Sequence, residues 1–164
     1  MKNRLLLLSV TAFALLSCDK EEDTLFLEGS YENMSVTSPE DPSYSREMTF
    51  SKTGDLLIEY FVTPVGSEES CLQAYSEGTY ILQGENFTMY LSASFGPDPA
   101  AFYEPGSCIP RDELVNSLDS NPISLSGTLV WQQSNNAFTV TYPCNDMIGG
   151  LRNCIGPQTY TKVD

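Results

Sequence analysis

The chain has 164 residues, 22 acidic against 8 basic, no histidine, and a formal net charge of −14. So acidic a surface repels nucleic acid and anionic headgroups. The missing imidazole excludes Ser-His-Asp and Cys-His catalysis, zincin motifs and His-ligated metals.

The first element in chain order is an export signal. Lys2 and Arg4 precede an apolar run over residues 5–16, broken by Ser9 and Thr11, and Ser17 precedes Cys18. A positive start, a short apolar stretch and a small residue before the cut define a secretory signal over residues 1–17. The run falls short of the roughly 20 apolar residues of a transmembrane helix. Leu15-Leu16-Ser17-Cys18 resembles the bacterial lipobox. That resemblance implies a diacylglycerol on Cys18, cleavage before it, and a membrane partner held through acyl chains, each buried CH₂ contributing about 0.8 kcal/mol. Residues 18–24 then form an acidic tether. Within it, Asp19-Lys20-Glu21-Glu22-Asp23 resembles the export signal of Bacteroidetes lipoproteins, and Asp23-Thr24-Leu25 resembles an O-glycosylation site of that phylum. The implied location is the outer membrane, facing the cell exterior. A plain solvated tether, with the domain on the periplasmic face, is the alternative. Loss of Lys2 and Arg4 with the signal takes the net charge from −14 to −16.

The rest suits one domain, residues 25–164. Eight extended segments follow: residues 25–36, 46–51, 56–63, 74–83, 87–95, 124–133, 137–143 and 157–163. Lys52-Thr53-Gly54-Asp55, Gly84-Glu85-Asn86 and Ser134-Asn135-Asn136 supply tight turns. Phe87, Met89, Leu91, Ala93 and Phe95 alternate with Thr88, Tyr90, Ser92 and Ser94. Leu125, Gly127, Leu129 and Trp131 repeat the period, as do Phe138, Val140 and Tyr142, which marks a sheet with one buried face. Tight turns alternate with long connections near residues 37–45, 64–73, 96–123 and 144–156. An up-and-down meander with that rhythm has a plain end and an elaborated end. The longest connection carries one short predicted helix around Pro110–Leu118, with Leu114, Val115 and Leu118 turned inward, either across the mouth as a lid or against the side.

After Cys18 the cysteines are Cys71, Cys108, Cys144 and Cys154. An even number in an exported chain points to two disulfides. We expect Cys144–Cys154 within one loop and Cys71–Cys108 between neighbouring loops. Cys71–Cys144 with Cys108–Cys154, and the crossed pairing, stay open at this level.

Leu27-Glu28-Gly29-Ser30-Tyr31, Met48-Thr49-Phe50 before Gly54-Asp55, Glu77-Gly78-Thr79-Tyr80 and Tyr160-Thr161-Lys162-Val163 together resemble the lipocalin-like lipoproteins of Bacteroidetes. The resemblance implies an all-β fold, an eight-stranded antiparallel up-and-down barrel. It assigns no function, because fold does not imply function.

No residue takes a catalytic role. Glu68-Glu69 and Asp112-Glu113 read as solvated loop acids. Asp98, Glu104, Asp112 and Asp146 lack calcium-loop spacing, so no metal or other cofactor is expected. Two non-enzymatic functions are consistent with the chain. One is a binding module for a small apolar or sugar ligand, with Tyr75, Phe95, Phe102 and Tyr103 near the elaborated mouth as candidate contacts. Against it stands a barrel plugged by Phe87, Met89 and Trp131. The other is a protein-interaction module, either an accessory subunit of a surface complex or an inhibitor of a cationic protein. A monomer is expected.

Overall fold

Each strand pair is set by a turn whose side chains specify it. In our computed structural model β2 (Ser43–Phe50) and β3 (Asp55–Thr63) meet at residues 51–54. There Ser51 Oγ accepts from the Asp55 N–H at 2.9 Å, Thr53 Oγ1 donates to the Asp55 carboxylate at 2.5 Å, and Gly54 takes φ 88°. Hydrogen bonds from Thr53, and then Ser51, hold the Asp55 carboxyl below the usual carboxylate range. The described residues are 26–35, 38, 40–104, 106–118, 122–132, 136–143 and 156–163, with the backbone of 147–148 and 151–152.

The other barrel strands are β1 (Gly29–Ser35), β4 (Cys71–Gln83), β5 (Asn86–Gly96), β6 (Ile123–Trp131), β7 (Ala137–Thr141) and β8 (Gln158–Val163). Each pairs antiparallel with its successor, and β8 returns to β1 through Ser30↔Val163, Tyr31↔Lys162 and Glu32↔Thr161. The ring is a closed eight-stranded up-and-down barrel. Closure satisfies the strand edges that an open sheet would leave exposed. The turns at 51–54 and 84–85 lie at the plain end, and the described parts of the connections β3–β4 and β5–β6 lie at the other.

The plain-end half of the interior is solid. Phe50 meets Tyr80 edge-on at 5.0 Å, Tyr31 meets Phe138 at 4.9 Å, and Trp131 packs on Phe138 at 5.5 Å. Phe87 and Met89 are buried, so this half is filled as the large inward residues predict. Leu27 closes the bottom. Its N–H donates to Tyr80 Oη at 2.8 Å, and the same hydroxyl lies 2.9 Å from the Leu27 carbonyl and 3.0 Å from the Ser51 carbonyl.

Strict alternation fails in β5, and the cause is a bulge. Glu77 pairs with Ala93 and Gly78 with Leu91, so Ser92 is extra. Beyond it the faces exchange: Ser94 turns inward to bond Ser76 at 2.9 Å, and Ala93 and Phe95 turn outward. Gly78 sits in the bulge because a Cβ there would strike the Tyr90 carbonyl and lie 2.9 Å from Leu91 Cα.

The long connection also departs from expectation. Its helical part is one 3-10 turn, Arg111–Glu113, because Leu114 is extended at φ −73°, ψ 133°. The next two residues form a short strand on β5, Phe95↔Asn116 and Gly96↔Val115. Leu114 is buried and Leu118 packs against the core, but Val115 stands exposed. Cys71 lies on β4 rather than in a loop, and its disulfide to Cys108 has the expected pairing. Cys18, Cys144 and Cys154 lie outside the described residues.

Candidate functional site

The inward face of the strands changes character partway up the barrel. On β2 it runs Phe50, Met48, Arg46, Tyr44; on β1 Tyr31, Asn33, Ser35; on β3 Leu56, Ile58, Tyr60. On β7 it runs Phe138, Val140, then Tyr142, and on β8 Tyr160, then Gln158. Because paired residues share a face, the register brings the polar members to one level at the elaborated end. Asn33 pairs with Arg46, and Arg46 with Tyr60.

Arg46 is the centre of this cluster. Its guanidinium carbon lies 5.2 Å from the centroid of the Tyr160 ring, and Nη2 is 3.4 Å from Gln158 Oε1. Its Nε is buried without a hydrogen-bond partner. The ion pairs among the described residues are Lys52–Glu28 and Arg111–Glu59, both on other side chains, so Arg46 faces no carboxylate there. The hydroxyls of Tyr142 and Tyr160 are also buried and unpartnered. Burial pushes Tyr142 up to about 12, with Arg46 opposing and Tyr60 adding, and pushes Tyr160 further in the same sense. Both phenols therefore keep their protons at any physiological pH. Asn33 Nδ2 is already committed to the Thr159 carbonyl at 2.7 Å. The side chains left over here are donors. Of these, Arg46 lines a cleft of ≈ 200 Å³ together with Asn33, Ser35, Tyr44, Tyr60 and Gln158.

Gly106 of the long connection packs close to Pro42 and within reach of Val62, the partner of Tyr44, leaving no room for a Cβ. The Cys71–Cys108 bond ties this connection to β4, and Ile109 and Leu114 are buried. The connection thus packs along β2 to β5 at this end of the barrel.

The aromatic residues expected at the mouth are arranged differently. Tyr75 and Phe95 stack at 4.6 Å and 12°, on the outer face, because they share the register row of Glu59. Arg111 covers the Tyr75 ring at 4.2 Å and bonds Glu59 Oε1 at 3.2 Å, making a guanidinium–phenol–phenyl sandwich on the wall. Phe102 is 90% exposed and Tyr103 half-buried, and neither joins a described aromatic pair. Two larger grooves, ≈ 530 and ≈ 580 Å³, run mainly along outward-facing residues of β2–β5 and of β1 with β8. Neither groove carries a buried unpaired charge. No group of three or more acidic or cysteine side chains suited to a metal is found among the described residues.

Sequence reading missed the Arg46 cluster although a signal for it existed. Arg46 has the same strand parity as Phe50 and Met48, and a charge in phase with core residues is the anomaly that marks it.

Fold and cluster define the class: a closed up-and-down β-barrel, packed solid at one end and lined with unused donors at the other. No family model, curated protein or solved structure matches the chain. The barrel is compatible with a lipocalin-like fold.

Proposed function

We propose that this protein is a lipid-anchored lipoprotein of the outer membrane. In this reading it acts without catalysis, as a module that takes a small organic ligand into the elaborated end of its barrel. The observation that carries the reading is the interior Arg46 with its unused Nε, beside the unpartnered hydroxyls of Tyr142 and Tyr160. Polar groups taken out of water without partners destabilise a fold, and a ligand that supplies partners removes that penalty. The anchor is supported by the Leu15–Cys18 pattern and by the position of Leu27, buried at the plain end. A tether leaving there directs the elaborated end away from the membrane, toward the cell exterior if the acidic run after Cys18 acts as an export signal.

The test is a pair of mass spectra on protein purified from its own envelope, native and denatured. A small molecule retained in the native spectrum, with Cys18 diacylated in the denatured one, supports the reading. A bare barrel that also gains no thermal stability from a broad library of small metabolites refutes it. Loss of membrane attachment in Cys18→Ser checks the anchor separately.

A second reading, a protein-interaction module, is favoured by the exposed Phe102 and the outer Tyr75–Phe95 stack. Co-purification of a stoichiometric partner that is lost in Phe102→Ser supports it; retention of the partner in that variant removes this patch from the argument.

A further inference from the structure

We infer that the ligand of the Arg46 cleft is a small organic carboxylate, its two oxygens received by the Arg46 guanidinium. This assignment rests on the binding-module reading and narrows it to one chemical class.

The argument starts from the donor inventory. Guanidinium carries five N–H donors and no acceptor. Among the described residues Arg46 uses one of them, at the long distance of 3.4 Å to Gln158. Tyr160 is fully buried with Arg46 close to its hydroxyl, and the Tyr142 hydroxyl is buried without a partner; neither gives Arg46 a negative charge. A guanidinium with unspent donors and no carboxylate paired with it among the described residues selects an acceptor, and a planar pair of oxygens matches its fork better than a single hydroxyl does. Charge points the same way. The chain carries −14 overall, yet the charge drawn into its interior is positive. A half-buried cation with no counter-ion among the described residues favours an anionic ligand.

Size and shape restrict the rest of the molecule. The cleft of ≈ 200 Å³ is below the range of drug-sized pockets, and the rings of Tyr44 and Tyr60 line it. The body of the ligand is therefore compact and at least partly apolar, such as a benzoate-like or short branched acid. A free acid and the C-terminal carboxylate of a peptide share this chemistry, and Tyr44, 39% exposed, leaves the rim open to a ligand that continues outward.

The experiment is calorimetric titration of the mature chain with benzoate and with benzamide, which has nearly the same shape and no charge. We expect benzoate to bind at least about tenfold more tightly, since charge-assisted bonds are the stronger class. Arg46→Gln should abolish that preference. A tripeptide with a free or an amidated C-terminus then separates the two sources. Arg46→Met adds a readout that a structural role would not move in the same direction: it should melt above the wild type while losing benzoate. Equal binding of benzoate and benzamide, or a preference that survives Arg46→Gln, overturns the carboxylate assignment and leaves the binding module standing. Failure of every acid, while native spectra show a retained neutral molecule, overturns it too. If Arg46→Gln fails to fold, Arg46→Lys, which keeps the charge and loses the planar fork, decides the matter: a reduced benzoate–benzamide ratio supports the assignment and an unchanged one overturns it.

Discussion

Tyr80→Phe isolates the bond that seals the plain end. The substitution keeps the ring, so its edge-on contact with Phe50 at 5.0 Å and its neighbour Phe87 are retained. What is lost is one hydroxyl serving the Leu27 N–H at 2.8 Å and the carbonyls of Leu27 and Ser51 at 2.9 and 3.0 Å. The Leu27 amide is buried, so its N–H is left without a partner in the variant. A buried unsatisfied donor costs about 1–3 kcal/mol, and the loosened carbonyls add to it, so we expect a destabilisation of about 2–3 kcal/mol. For a domain of this size that is a fall of roughly 5–10 °C in Tm. The assay is urea denaturation of the oxidised mature protein, with the slope m unchanged and the midpoint lowered. Leu27→Ala should cost about 2–5 kcal/mol by itself, because the side chain fills the barrel bottom. The double variant should cost less than the sum, since both remove the same closure. A Tyr80→Phe change below about 0.5 kcal/mol, or strict additivity with Leu27→Ala, would refute the claim that this hydroxyl holds the arm in place.

Three further outcomes follow from the geometry. Replacing both Cys71 and Cys108 by serine opens a cross-link 37 residues apart in sequence, which chain entropy values at about 4 kcal/mol at most; chemical denaturation should give about 2–4 kcal/mol, and a cost under about 1 kcal/mol contradicts the assigned constraint. Gly78→Ala forces a Cβ into the Tyr90 backbone across the β5 bulge, where no flexible side chain can yield; a loss of about 1–3 kcal/mol or more should register in thermal melts, and a neutral result would mean the bulge is absent. The buried phenols predict the alkaline limit. Their pKa values are raised in the fold, so stability is complete below the ordinary tyrosine pKa near 10 and is lost as pH rises through about 12 for Tyr142. A spectroscopic titration should therefore show a late-ionising set of tyrosines, with unfolding accompanying them; if all tyrosines ionise together near pH 10 with the fold intact, the interior assignment of Tyr142 and Tyr160 fails.

Much of the architecture was legible because strands carry a period of two and hairpin turns carry their own chemistry. Phe87–Met89–Leu91 and Phe138–Val140 announce their buried face, and Gly54 marks the turn between β2 and β3. The alternation of short and long connections was sufficient for an up-and-down barrel with one elaborated end, and the Cys71–Cys108 pairing followed from neighbouring connections. These are local signals, and local signals survive in a linear chain.

The candidate site did not read out in the same way. Phe95 has the parity of the core up to Leu91, and only the pairing of β4 with β5 discloses that Ser92 is extra and that Phe95 turns outward to stack on Tyr75. Bulges are properties of two strands together, so one strand's periodicity cannot disclose them. The same holds for the 3-10 turn at Arg111–Glu113, where pairing of Val115 and Asn116 with β5 overrode a helix that local propensity supports. Arg46, Tyr142 and Tyr160 are far apart in sequence, and only closure of the barrel brings them near one another. The sequence by itself determined the class of fold, the hairpin turn at Gly54 and the phase of β5 as far as Leu91. Tertiary structure decided which residues share an interior level and which donors are left without partners, because both are set by pairing between strands distant along the chain.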